Sequence, residues 1–127
     1  MATIPYTQLA APVWLGQQGV TIIQWANVGN ADTCTPLPLG AHADRSVQVT
    51  GTFDGASVKI DGTNDSSLPY FPLTDPQGNA ISISAFPAGY TAAGEAISEA
   101  TQFVKPVVTG GTSPSLTITM YVRKVAK

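Results

Sequence analysis

Hydrophobic and polar residues trade places with a period of two through much of this chain. Val47, Val49 and Phe53 alternate with Gln48, Thr50 and Thr52, and beyond Asp54-Gly55 Val58 and Ile60 alternate with Ser57, Lys59 and Asp61. That period sends one set of side chains to a buried face and the other to water, which is the pattern of a half-buried β-strand. Asp-Gly between two such runs predicts a β-hairpin, because a type I′ turn needs positive φ at both central residues. Ile81, Ile83 and Ala85 alternate with Ser82 and Ser84, and Leu116, Ile118, Met120 and Val122 alternate with Thr117, Thr119, Tyr121 and Arg123. The core is therefore expected to hold Val47, Val49, Phe53, Val58, Ile60, Ile81, Ile83, Leu116, Ile118 and Met120.

Between Gly19 and Val28 both faces are apolar: Val20, Ile22, Ala26 and Val28 lie on one, Ile23 and Trp25 on the other. This predicts a central strand, or one whose second face meets a partner. Residues 31–40 read as a short strand broken by Pro36 and Pro38, which suits a sheet edge. The clusters at 62–67 (GTNDSS) and 75–79 (DPQGN) are turn sequences, and Leu68 to Leu73, with Pro69 and Pro72, reads as an edge or loop. Residues 92–100 contain helix formers, with Glu95 and Glu99 a turn apart, but Gly94 weakens a helix. A loop with at most one short helical turn is expected there. Gln102 to Thr109 reads as a strand bent at Pro106.

The first 18 residues differ from the rest. They carry Pro5 and Pro12, no charged side chain, and the apolar residues Ile4, Tyr6, Leu9, Val13, Trp14 and Leu15 without sustained periodicity. Proline favours extended backbone and removes a ladder donor. The segment is read as an extended arm that lies on another protein, with an edge strand over the chain's own core as the alternative. Residues 19–127 then form one domain. The sum is an all-β chain, an antiparallel β-sandwich or jelly roll of about eight strands with an extended N-terminal arm.

Composition narrows the function classes. The 127 residues suffice for one domain with a real core, and the charged share of 11% is low, so solubility rests on Thr, Ser, Asn and Gln. Such a surface suits packing against neighbours, since few charges lose water on contact. A net charge of −2 argues against nucleic-acid binding, which needs many Lys or Arg. No apolar run is long enough to span a membrane, and no secretory leader is recognisable, so synthesis in the cytoplasm is expected. Half of the six basic residues are Arg123, Lys124 and Lys127. A solvated strand end accounts for them as well as a partner does.

Candidate chemistry is sparse. Cys34 is the only cysteine, which fits a small buried hydrophobe, an intersubunit bridge or a reactive thiol. His42 has Asp44 two residues away, the beginnings of a nucleophile-activating pair, although a solvent-facing loop histidine explains it as well. Glu95 and Glu99 would share one side rather than flank a cleft. Asp61, Asn64 and Asp65 offer oxygen ligands for Ca²⁺, and are equally what tight turns prefer. No cofactor fingerprint is present, and the chain is expected to be neither an enzyme nor a cofactor protein.

The stretches VQVTGTFDGASVKIDGTND, LTDPQGNAISI, FVKPVVTGG and LTITMYVRK, within 47–83 and 103–123, resemble the capsid cement or decoration proteins of tailed bacteriophages. The resemblance implies a jelly roll and a place on the virion, where the chain stabilises the shell by bridging subunits of the major capsid protein. Within that reading Ile4, Tyr6, Leu9, Val13, Trp14, Ile23 and Trp25 are the expected contacts with the capsid or with a second copy in a homodimer or other homo-oligomer. A second class of function is a phage-borne carbohydrate-binding module of a head fibre or tail adhesin. It would stack Trp14, Trp25, Tyr70, Phe71, Tyr90 or Tyr121 on sugar rings.

Overall fold

The computed structural model describes residues 2–9, 19–40 and 42–124. Among these are eleven strands and no helix: β1 (Thr3–Ile4), β2 (Thr7–Leu9), β3 (Val20–Val28), β4 (Thr33–Cys34), β5 (Leu37–Pro38), β6 (Asp44–Thr52), β7 (Ala56–Thr63), β8 (Phe71–Pro72), β9 (Ala93–Ile97), β10 (Phe103–Gly110) and β11 (Ser115–Arg123). A five-stranded antiparallel sheet runs β2-β3-β11-β6-β9, and a four-stranded antiparallel sheet runs β5-β10-β7-β8. β1 and β4 add a short parallel pair. The two larger sheets enclose one apolar core, as in a β-sandwich.

All ten residues assigned to the core by their alternation are buried. Val47, Val49, Leu116, Ile118 and Met120 come from the five-stranded sheet, and Val58 and Ile60 face them from the other. Burying each such side chain contributes about 1.5–3 kcal/mol.

The hairpin expected at Asp54-Gly55 is corrected. The turn has the predicted geometry, with φ of 46° at Asp54 and 88° at Gly55 and the Ala56 N–H donating to Phe53 O at 2.8 Å. Yet β6 belongs to one sheet and β7 to the other, so the turn is an arch across the core. β10 and β11 are joined in the same way. The two arches and the turn after β3 are laced together at one end of the molecule. The Asn30 amide donates to Gly110 O and Gly111 O at 2.8 and 3.0 Å, and the Ser113 N–H donates to the Asp54 carboxylate at 2.8 Å. Gly111, at φ 76°, passes so close to Asp54 that a Cβ would lie 2.8 Å from its carbonyl oxygen.

The assignment of Ile23 and Trp25 to an outer, partner-binding face is also overturned. Ile23 is 3% and Trp25 0% exposed, and the Trp25 indole N–H donates to Thr35 O at 3.0 Å. The reason is a β-bulge. Ile118 pairs with Trp25 but Leu116 pairs with Val28, so Ala26 and Asn27 together oppose Thr117. Asn27 takes φ 56° to make the bend. The bulge turns Val28 inward beside Trp25, and simple alternation cannot foresee it.

Residues 92–100 hold no helical turn, because Ala93–Ile97 is the outer strand β9 beside β6. The strand expected at 81–85 is reduced to a bridge, in which Ile83 and Val58 exchange hydrogen bonds of 2.8 and 2.9 Å. The proline-broken 31–40 segment does supply a sheet edge, as β5.

Candidate interaction surface

The N-terminal residues within the described range are folded onto the domain rather than extended from it. β1 pairs with β4, and β2 forms one edge of the five-stranded sheet. Ile4 and Tyr6 pack against the core, with the Tyr6 ring edge-on to Trp25 at 6.1 Å and 72°. Of the expected contact residues, Leu9 alone among the described ones stands at the surface, 37% exposed. Val13 and Trp14 lie outside the described residues.

What the fold does assemble is a broad outer face on the five-stranded sheet. Cross-strand pairing lines up Leu9, Ile22, Tyr121, Ser46 and Ala96 in one row, and Thr7, Gln24, Thr119, Gln48 and Gly94 in the next. Five strands at the usual spacing make this face roughly 19 Å across. Neither row carries a charge. The Gln24 amide donates to Thr119 Oγ1 at 3.1 Å, which fixes two of the polar side chains in place. At one end of the face Arg123 and Asp44 neutralise each other, at 2.7 Å. The outward positions of β6 and β11 were legible from alternation. The arrival of β2 beside Ile22 was not, because no local pattern encodes that pairing.

The candidate catalytic and metal residues are dispersed. Arg123 occupies the Asp44 carboxylate, so Asp44 serves a strand-end ion pair. Burial, with Lys124 and Arg45 nearby, lowers the His42 pKa. Glu95 lies on β9, whereas the Glu99 carboxylate accepts from the Thr74 N–H at 2.7 Å and the Thr74 hydroxyl at 2.5 Å. Burial pushes the Glu99 carboxyl up, but these bonds and its own amide outweigh that and leave it below the ordinary carboxylate value. Asp65 accepts from Ser67 at 2.5 Å, and Asp61 Oδ1 is buried without a partner among the described residues. Among the described residues no three His, Cys, Asp or Glu side chains converge. Cys34 is buried, and burial with Asp32 nearby pushes its thiol up to about 12.

The described aromatic residues do not form one stacking platform, and Trp14 lies outside the described residues. Trp25 is inside, Tyr121 belongs to the outer face of the five-stranded sheet, and Phe71 lies in β8 of the other sheet. Tyr70 carries the Lys105 ammonium 4.4 Å from its ring centre. Tyr90, 70% exposed, sits at the end of a turn closed by its N–H on Pro87 O at 2.9 Å.

Sequence reasoning missed Arg45. It occupies the inward register of Val47 and Val49, is 5% exposed, and directs its guanidinium at backbone oxygens. Nε donates to His42 O at 2.8 Å, one terminal nitrogen to Glu99 O at 3.3 Å and Thr101 Oγ1 at 3.2 Å. The other donates to Leu39 O at 3.1 Å and to Thr101 O. The signal was present, since a charged residue at an inward position of an alternating strand needs a built-in set of acceptors. No family model matches this chain, and no curated protein does.

Proposed function

We propose that this chain is a capsid cement protein, which binds the outside of a tailed-phage shell and bridges subunits of the major capsid protein. The carrying observation is the wide uncharged outer face of the five-stranded sheet, where Leu9, Ile22 and Tyr121 run between Thr, Ser and Gln. Such a face loses little hydration free energy on contact and has no charge that must find a counter-charge in the partner. The turn and strand blocks that resemble decoration proteins support the same reading.

The strand order supports a jelly roll. β3 pairs with β11, β5 with β10, β6 with β9 and β7 with β8, each antiparallel. A long hairpin ribbon wound around a core produces this set of pairs. With Ile23 and Trp25 in the core, copies of the chain would meet as a homo-oligomer only where the capsid lattice sets them side by side. Many such copies would strengthen a shell through multivalency more than through any single tight contact.

The test is co-sedimentation of the purified protein with shells assembled from the major capsid protein alone. Saturable binding that raises the rupture temperature of the shells is expected. The T7K/Q48K double variant, altered only on the outer face with two strands between the new charges, should fold normally and bind at least about tenfold more weakly, since buried unpaired charge is strongly unfavourable. Wild-type protein that ignores the shells would overturn the proposal, as would a double variant that binds them unchanged.

A further inference from the structure

We propose that the open edge of β9 is a strand-addition site for an extended segment of another protein that places a Lys or Arg opposite Glu95. Among the described residues β9 is the outermost strand beyond β6 and is five residues long, whereas the other sheet edges, β2, β5 and β8, have three residues or two. A strand in that position presents a row of backbone donors and acceptors for pairing. Beside it runs a groove of about 380 Å³, whose far wall is the segment Ser82–Pro87. Ala93, Gly94 and Ala96 leave the edge unobstructed by bulky side chains.

Glu95 decides the occupant. Its partner in the ladder is Val47, which faces the core, so the side chain leaves the strand on the core-facing side at the rim, and the residue is half-buried along the groove. Among the described residues its side chain has neither a hydrogen bond nor an ion pair. A carboxylate left unpaired beside open backbone donors and acceptors favours an incoming ammonium or guanidinium. The same residue excludes a second copy of this chain. Glu95 is the middle residue of Ala93–Ile97, so two β9 strands in full antiparallel overlap would set carboxylate against carboxylate. Like charges directly opposite are destabilising. This site does not depend on the capsid reading.

The experiment is an NMR titration of the full ¹⁵N-labelled chain at low ionic strength, with the capped peptide TVTKTVT and its counterpart TVTETVT. Amides of residues 93–97 should shift and gain exchange protection. The Lys peptide should bind about threefold to tenfold more tightly than the Glu peptide. E95Q should remove the difference and E95K should reverse it, and the peptide comparison on the wild type stands whether or not either variant folds. Equal affinity for the two peptides, no binding at millimolar concentration, or shifts centred elsewhere would overturn the proposal. So would concentration-dependent self-pairing of the wild type at 93–97.

Discussion

Replacing Arg45 with methionine keeps most of the side-chain volume and removes every donor. Five acceptors are affected: His42 O, Glu99 O, Thr101 Oγ1, Leu39 O and Thr101 O. Leu39 O retains the His42 N–H at 3.0 Å, and His42 O and Glu99 O lie near enough to solvent to find water. Thr101 Oγ1 still donates to Phe103 O. Thr101 O is the acceptor left buried and bare, at about 1–3 kcal/mol. Losing the charge-assisted bonds that hold Leu39 and His42 to Glu99 and Thr101 adds about 1.5–3 kcal/mol, while burying the Met side chain returns part of that. A net loss of about 3 kcal/mol is expected, a large fraction of the stability of a small domain. It should appear as a fall in Tm of roughly 10 °C in calorimetry. Hydrogen exchange supplies the local readout, because the Leu39 and His42 amides, which donate to Gln102 O and Leu39 O, should lose protection first. R45K should fall between the two, since one ammonium cannot span acceptors arranged around a planar fork. An R45M protein within about 0.5 kcal/mol of wild type would refute the reasoning, as would an R45K protein equal to wild type.

Two further outcomes follow from the titrating groups. Glu99 has a lowered pKa in the folded state, so its stabilisation is fully present above the unfolded carboxylate value and is lost as pH falls through the folded one. The stability difference between wild type and E99Q should therefore be full at neutral pH and shrink as the solution is acidified, as followed by urea denaturation. Cys34, buried and pushed up to about 12, should resist an aromatic disulfide reagent at mildly alkaline pH until denaturant is added. Prompt labelling of the native protein would show that the thiol is accessible.

Side-chain alternation told which residues go inside, because burial on a pleated strand is a local property. It could not tell which sheet a strand joins. The Asp54-Gly55 signs of φ are encoded locally, while the choice between hairpin and arch is made by β10 and β11, half the chain away. The bulge at Asn27 defeated the reading of β3 because one extra residue reverses the facing of everything beyond it. The helix formers around Glu95 and Glu99 yielded to a tertiary demand, since β6 needed a neighbour on its second side. The candidate surface was legible as polar outward positions on β6 and β11, but its completion by Leu9 and Ile22 depends on a pairing that no spacing announces.

The arches also set the order in which this molecule can come into being. β3 finds its longest partner in β11, some 90 residues further on, and β6 and β7 leave their shared turn for opposite sheets. Hardly any of the architecture can close on neighbours along the chain, so each early loop gives up entropy before any ladder rewards it. Topologies of this kind reach the native state in roughly milliseconds to seconds rather than microseconds. During that interval β6 has no ladder to join until β9 and then β11 arrive, and its bare edges are open to other chains. The Thr- and Gln-rich outward residues of these strands then protect the nascent chain, since they keep half of every waiting strand comfortable in water.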